Sequence, residues 1–120
     1  MQIGYVIVGV SDLDRSVEFY RDTMGFELLY KEPSFGFASF KLGDQHFSIA
    51  AGGEGGSNHG TGNRNTGIGF MVPDVDAAFA ELSAKGVKFT LEPAEQPWGG
   101  YMGMFADPDD NIFYLDQLPS

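Results

Sequence analysis

The chain has 120 residues and a strong excess of acidic side chains. Its 17 aspartate and glutamate residues against 7 lysine and arginine residues give a formal net charge of −10 at pH 7. Because this charge repels phosphates, we expect no nucleic acid or membrane partner, whereas a cationic small molecule would be attracted. The lack of cysteine excludes disulfides and thiolate chemistry. The sequence shows neither a membrane-spanning run nor a signal peptide, so we expect a cytoplasmic protein.

Short runs of alternating apolar and polar residues predict eight strands. The first run is followed by apolar residues at helical spacing. Ser11 or Asp12 is the predicted cap of this helix, Asp14 is the second member of a capping box, and Gly25 ends it. In chain order, the predicted strands cover residues 3–10, 26–32, 37–42, 46–50, 67–72, 87–92, 102–107 and 112–116.

The second half of the chain repeats the pattern of the first. The segments "VSDLD" (10–14) and "VPDVD" (72–76) each follow a β-rich run and open a helical pattern. Asp74 is the predicted cap of the second helix, and Gly86 is its predicted end. Each half is expected to run strand, helix, strand, strand, strand. The predicted division is a module at about 1–51, a glycine-rich connector at 52–66 and a module at about 67–118.

Two longer segments carry a resemblance to a known family. The stretches "VIVGVSDLDRSVEFYRDTMGFELL" (6–29) and "FADPDDNIFYLDQ" (105–117) resemble those of the vicinal oxygen chelate superfamily. That superfamily includes glyoxalase I, extradiol dioxygenases, fosfomycin resistance enzymes and bleomycin-binding proteins. The similarity spans residues 1–120 as one domain. It implies an α+β fold of paired βαβββ modules that form curved mixed sheets, with a site on the concave face that is often shared across a dimer.

The metal-ligand positions of that family carry unsuitable side chains here. A divalent cation needs imidazole nitrogen or carboxylate oxygen, so we predict no metal and no cofactor. His46 and His59 are the two histidines of the chain, and an atypical metal site formed by them with a carboxylate such as Glu54 is the alternative. Aligned on the family motifs, the four positions are occupied by Tyr5, Ser48, Gly67 and Tyr114.

The only tryptophan lies in "EQPWG" (95–99). This pentapeptide resembles the segment of bleomycin-binding proteins whose tryptophan stacks on the planar tail of the drug. Trp98 would offer a flat face, and Gly99 and Gly100 would let a ligand approach the backbone. Gly100 stands where the resistance proteins usually have a basic residue. The other predicted ligand-binding residues are Tyr30, Phe35 and Phe37 opposite the indole, together with Tyr5, His46, Ser48, Tyr101 and Tyr114.

These observations favour a binding protein over an enzyme. We predict a metal-free protein that sequesters a planar, cationic antibiotic of the bleomycin type in an aromatic cleft at a homodimer interface, with no catalytic residues. Three carboxylates, Glu32, Glu92 and Glu95, would attract the cation. The alternatives are a metal-dependent enzyme, either a glyoxalase I-like lyase or isomerase or an extradiol dioxygenase, and a fold-only partner domain. A separate alternative for Trp98 is that "PWG" is a recurring lead-in to a strand in this superfamily, enzymes included, with the indole packed on its own module.

Overall fold

The computed structural model of the protein describes residues 1–51 and 64–118. The chain divides into two compact units, unit 1 (Met1–Gly62) and unit 2 (Asn63–Ser120). Within the described residues, each unit contains one four-stranded mixed sheet and runs strand, helix, strand, strand, strand. The predicted α+β fold of paired βαβββ modules is therefore confirmed. No helix in this part of the chain is long and apolar enough to cross a bilayer.

Unit 1 forms a sheet with the strand order β1-β4-β3-β2. Strand β1 is parallel to β4, and the other two pairs are antiparallel. Helix α1 begins directly after β1, on the long connection that returns the chain to the parallel partner of that strand. The elements are β1 (Val6–Val10), α1 (Leu13–Glu18), β2 (Glu27–Glu32), β3 (Phe37–Leu42) and β4 (Gln45–Ala51).

The start of α1 differs in detail from the prediction. Asp12 is the N-cap, and its side chain accepts a hydrogen bond from the backbone N–H of Arg15 at 3.1 Å. The predicted second member of the capping box, Asp14, instead forms an ion pair with Lys31 of β2. The helix continues as a π-helical turn, Phe19–Thr23, and the chain then leaves it through Gly25 at φ +80°, as predicted.

Unit 2 repeats this plan with the strand order β5-β8-β7-β6. Strand β5 is parallel to β8, and the remaining pairs are antiparallel. Asp74 caps the helix through the N–H of Ala77 at 3.0 Å, and Gly86 follows at φ +92°, both as predicted. The elements are β5 (Arg64–Val72), α2 (Val75–Ala84), β6 (Lys88–Glu95), β7 (Tyr101–Ala106) and β8 (Asn111–Gln117).

Three predicted strand boundaries are wrong by three residues, and the others agree to within one residue. Strand β1 begins at residue 6 instead of 3, β5 at 64 instead of 67, and β6 ends at 95 instead of 92. The early part of β5 belonged to the predicted connector, whose residues 52–63 lie outside the described residues. Strand β6 continues past Pro93 because its register against β7 shifts on either side of Leu91. Gly103 accommodates this irregularity, since a Cβ there would lie 2.9 Å from the Leu91 carbonyl oxygen.

Aromatic rings fill the space between helix and sheet in each unit. In unit 1, the ring centroid of Tyr20 lies 5.0 Å from that of Phe47 and 5.9 Å from that of Phe40, and all three side chains are buried. In unit 2, the buried rings of Phe105 and Phe113 lie 5.5 Å apart. These clusters define one face of each sheet as its helix face. The opposite side, which points away from the unit's own helix, is called its distal face.

The acidic motif "DPDDN" (107–111) has a structural role. Asp107 is buried and accepts hydrogen bonds at 2.9 Å from the backbone N–H groups of Asp109 and Asn111 and from the Asn111 side chain. The motif therefore closes the turn between β7 and β8. Aspartate and asparagine side chains commonly accept or donate such hydrogen bonds in turns.

Candidate functional site

The distal face of unit 1 brings together four of the predicted binding residues. Side chains alternate along a strand, so the register that pairs Phe40 with Phe47 on the helix face directs their neighbours to the other side. The distal face thus holds Tyr30 of β2, Phe37 of β3, and His46 and Ser48 of β4.

These four side chains differ in their surroundings. The rings of Tyr30 and Phe37 lie 5.9 Å apart, with Tyr30 exposed, and so form an aromatic pair at this edge of the sheet. Ser48 is only 2% exposed, and its hydroxyl donates to the Ser39 hydroxyl at 3.3 Å. His46 is exposed and lies opposite Lys41. The distal face of unit 1 is therefore aromatic at the β2 edge and polar in its centre.

Two other predicted residues of unit 1 lie outside its sheet. Phe35 is exposed in a 3₁₀ turn, Pro33–Phe35, between β2 and β3. Tyr5 is exposed immediately before β1. Glu32, predicted to attract a cation, accepts a hydrogen bond from Ser34 at 2.8 Å at the start of the same turn.

Trp98 lies at the tip of the β6–β7 hairpin of unit 2. The N–H of Gly99 donates to the Gln96 carbonyl at 2.9 Å, and the N–H of Gln96 donates to the Gly100 carbonyl at 2.7 Å. These two bonds hold a tight turn in which Pro97 fixes φ before the indole and Gly99 adopts φ +93° after it. The indole is 69% exposed. It is therefore presented to solvent by a hydrogen-bonded turn and is not enclosed by its own unit.

Gly100 determines where the indole rests. A Cβ at this position would lie 2.8 Å from Nε1 and 3.3 Å from Cδ1 of Trp98, so the ring lies directly over the Gly100 backbone. Any side chain here would have to displace the indole. The glycine that replaces the usual basic residue of the drug-binding segment thus allows this particular ring position.

Tyr101 points to the helix face. It shares the strand parity of buried Phe105, and its hydroxyl donates to Asp76 of α2 at 2.6 Å. This hydrogen bond, with burial and the negative charge of Asp76, raises the pKa of Tyr101 above its ordinary value of 10.0. The predicted grouping of Tyr101 with the distal-face residues is therefore wrong in orientation, because its position in β7 could not be assigned from parity alone. Its contact ties the start of α2 to the sheet.

Tyr114 lies on the distal face of unit 2, opposite Gly69 in register. Its hydroxyl oxygen accepts a hydrogen bond from Nδ2 of Asn65 at 2.8 Å. Oδ1 of the same amide accepts the N–H of Gly67 at 2.9 Å, where φ is +74°. The backbone N–H requires an oxygen, so the orientation of the amide is fixed. Tyr114 is consequently an oriented phenol on a strand face.

The four family metal positions do not fit a divalent cation. Tyr114 is bonded to Asn65, Ser48 is buried against another hydroxyl, and Gly67 has no side chain. Phenol and alcohol groups are poor ligands for zinc, nickel or magnesium compared with imidazole and carboxylate. Within residues 1–51 and 64–118, no group of three or more histidine, aspartate or glutamate side chains could hold a metal ion. His59 and Glu54 lie outside these residues.

Two polar residues of the distal face of unit 2 were missed by the sequence analysis. Asp116 shares the parity of Tyr114 two residues earlier, so the alternation of β8 could have identified it. Asn65 fell within the predicted connector, and no sequence signal placed it in a strand. Gly69 of β5 is the register partner of Tyr114 and leaves this part of the face without a side chain.

Comparison with known proteins assigns the family. A family model described as "Glyoxalase/Bleomycin resistance protein/Dioxygenase superfamily" matches residues 2–115. The protein belongs to this superfamily, and the resemblance inferred from its motifs is confirmed.

Individual relatives differ in their described roles. The uncharacterized protein YraH of Bacillus subtilis is 30% identical over 118 residues, covering 91% of this chain and 92% of YraH. Lactoylglutathione lyase GLX1 of Arabidopsis thaliana is 32% identical over 94% of this chain, which spans only 43% of GLX1. The crystal structure of TnmS3, an antibiotic binding protein from Streptomyces sp. CB03234, has a TM-score of 0.83 and 31% identity, covering 100% of this chain and 97% of TnmS3.

Proposed function

We propose that this protein is a small-ligand-binding member of the superfamily that sequesters a planar, cationic antibiotic without a metal ion. The observation that carries the proposal is the solitary indole of Trp98, 69% exposed at the tip of a hydrogen-bonded turn. An exposed indole on a preorganised backbone can stack on a flat ligand with little ordering cost. Each aromatic stacking contact contributes about 0.5–1.5 kcal/mol beyond the area it buries.

The aromatic residues of unit 1 support the same class of ligand. The adjacent rings of Tyr30 and Phe37 and the exposed ring of Phe35 provide further flat, apolar surface. Aromatic side chains are enriched at binding surfaces relative to the rest of a protein surface. An aromatic surface can hold a ligand without reacting with it, so these rings favour binding over catalysis.

The charge and the occupants of the family metal positions support a cationic ligand and binding without metal. The net charge of −10 attracts cations over several ångströms. Tyr5, Ser48, Gly67 and Tyr114 supply neither imidazole nor carboxylate. The similarity to TnmS3, described as an antibiotic binding protein, extends over the whole chain. We therefore extend antibiotic binding to this chain, with drug resistance by sequestration as its proposed role.

The proposed assembly is a homodimer with the ligand between the two copies. Such clefts let one protomer contribute residues to a site on the other. Sedimentation velocity should give twice the mass of the chain. A monomer at micromolar concentration would contradict this part of the proposal.

Titration calorimetry with bleomycin, phleomycin and the planar cation 9-aminoacridine tests the function. Trp98→Ala should weaken binding by about 1–3 kcal/mol because it removes the stacking ring. Trp98→Phe should recover part of this loss. Leu29→Ala is the matched control, since it truncates another exposed apolar side chain, and it should bind like the wild type.

Two results would contradict this proposal. One is the absence of binding to all three compounds. The other is binding by Trp98→Ala that equals the wild type. Thermal unfolding followed by circular dichroism should be nearly unchanged in Trp98→Ala, and a collapse of the fold would assign the indole to the core.

A second candidate is a metal-dependent lyase, which the similarity to GLX1 favours. Metal analysis of the purified protein, together with an assay for isomerisation of the methylglyoxal–glutathione hemithioacetal, separates the two functions. Stoichiometric nickel or zinc that survives dialysis, with lyase activity that depends on it, would replace the binding proposal.

A further inference from the structure

The distal face of unit 2 carries a carboxylate on an apolar surface. Asp116 pairs in register with Met71 of β5 and Met102 of β7, and all three side chains lie on this face. Met71 is exposed, and Leu91 of the neighbouring strand β6 is exposed on the same side. Thioether and aliphatic neighbours donate no hydrogen bond to a carboxylate.

The Asp116 carboxylate is directed over a gap in this face. A Cβ on Gly69 would lie 3.4 Å from Oδ2 of Asp116, so the carboxylate leans above a position that has no side chain. Within the part of the chain that the structure describes, Asp116 has no hydrogen-bond or ion-pair partner. Partly removing a carboxylate from water without a partner is unfavourable, and an incoming cation would relieve this cost.

The neighbouring phenol has a free donor. Tyr114 already accepts the amide N–H of Asn65, and the oxygen of that amide is occupied by the N–H of Gly67. A hydroxyl that accepts one hydrogen bond retains its own proton for donation. Tyr114 is therefore prepared to donate to an acceptor atom above the distal face.

We propose that Asp116 and Tyr114 form one recognition subsite, in which Asp116 takes a protonated nitrogen of the ligand and Tyr114 donates to a carbonyl or other acceptor. Asn65 is the positioning residue that orients the phenol, and Gly69 provides the space. The two side chains are two residues apart on β8, which is roughly 7 Å along a strand. The subsite thus selects flat molecules that carry a cationic nitrogen and an acceptor at about this separation. This inference rests on the proposed function.

The test compares two tricyclic probes of similar shape: 9-aminoacridine, a cation, and acridone, which is neutral and carries a carbonyl. Asp116→Asn should weaken 9-aminoacridine by about tenfold, because the cation loses an ion pair, and leave acridone within twofold, because the neutral N–H of acridone can still donate to the amide oxygen of the asparagine. Asp44→Asn is the matched control. It removes the same charge from an exposed turn of unit 1 and should change both affinities by less than twofold.

Tyr114→Phe should show the opposite selectivity. Loss of the donor should weaken acridone by about fivefold with little effect on 9-aminoacridine. Asn65→Asp tests whether Asn65 orients the Tyr114 hydroxyl without changing the size of the side chain. The new carboxylate still accepts the N–H of Gly67, but Tyr114 must now donate its proton to the carboxylate. Acridone should then weaken as much as in Tyr114→Phe, and the double variant should be no worse than either single variant.

The outcomes separate this inference from the proposed function. If the wild type binds neither probe nor the bleomycins, both fail. If it binds 9-aminoacridine and Asp116→Asn retains the full preference for the cation, the subsite is overturned while the binding function stands. If Asp116→Asn changes the sedimentation coefficient and leaves the affinity for 9-aminoacridine unchanged, Asp116 contacts the second copy instead of the ligand, and the subsite is likewise overturned.

Discussion

The helix faces of the two units resemble each other, whereas their distal faces do not. In unit 1, Tyr20, Phe40 and Phe47 pack between α1 and its sheet, and in unit 2 Phe105 and Phe113 occupy the corresponding layer. Both sets are buried rings. Both units therefore keep a layer of buried rings on the helix face, because the packing of helix on sheet in the βαβββ plan depends on it.

The distal faces have separate chemistries. Unit 1 has the aromatic pair of Tyr30 and Phe37 beside buried hydroxyls, and unit 2 has Asp116 and Tyr114 among methionines. Packing against the helix does not require these differences, because each helix contacts the opposite face of its own sheet. The half-chain repeat therefore preserves the buried rings on one side of each sheet, whereas the chemistry of the other side differs between the two units.

The largest expected effect tests the similarity of the helix faces. Phe47→Ala and Phe113→Ala should each lower the free energy of unfolding by about 3–5 kcal/mol, because each removes a fully buried ring. Urea unfolding followed by far-ultraviolet circular dichroism measures both. A loss below 1 kcal/mol in one variant and a large loss in the other would show that the two cores are not equivalent.

A smaller effect concerns one position at which the repeat differs. Ser16 of α1 is fully buried, and its hydroxyl has no hydrogen-bond partner among the described residues. The matching residue in unit 2 is Ala78. It lies 62 positions after Ser16, which is the same spacing that separates "VPDVD" from "VSDLD". Ser16→Ala should therefore stabilise the protein by about 1 kcal/mol in urea unfolding. The reverse change, Ala78→Ser, should not stabilise it, and a destabilised Ser16→Ala would reveal a partner for the hydroxyl.

The smallest effect distinguishes how the two helices are tied to their sheets. Asp14 pairs with Lys31 in unit 1, and the equivalent Asp76 accepts from Tyr101 in unit 2. The pKa of Tyr101 is raised in the folded state, so its contribution is complete below its ordinary pKa and is lost as the pH rises through the folded value. Wild type should therefore lose stability relative to Tyr101→Phe as the pH rises above the ordinary tyrosine pKa of about 10.

Urea midpoints and the tyrosinate absorbance of both proteins check this behaviour. Asp76→Ala should lower the pH at which Tyr101 ionises. If wild type and Tyr101→Phe lose stability in parallel, the phenol does not tie α2 to the sheet in solution.

The sequence predicts the repeat well because each element depends on local signals. Asp74 and Gly86 act at the helix ends through their own backbone geometry, and the apolar spacing of the helices follows from burial. The exposure of Trp98 also agrees with its position between proline and glycine. Such features need only neighbours along the chain.

The remaining site features depend on contacts across the sheet. Asn65 bonds to Tyr114, which lies 49 residues later in the chain. The register shift in β5 interrupts the alternation of side chains, so the sequence pattern could not place Asn65 in a strand. Tyr101 faces α2 because of the register of β7, which hairpin length and the irregularity near Leu91 set together. These relations come from tertiary pairing, so the composition of each segment does not contain them.

Because Trp98 is exposed, its fluorescence reports on the tip of the β6–β7 hairpin and not on the folding of the chain. A solvated indole emits at long wavelength in the native state, and unfolding would change its surroundings little. Excitation near 295 nm would therefore report events at the hairpin tip, whereas global unfolding would be visible mainly through the buried Tyr20 and the peptide backbone. A blue shift on adding a compound would mean that the ring has left water, and an unchanged circular dichroism spectrum would show that the chain stays folded.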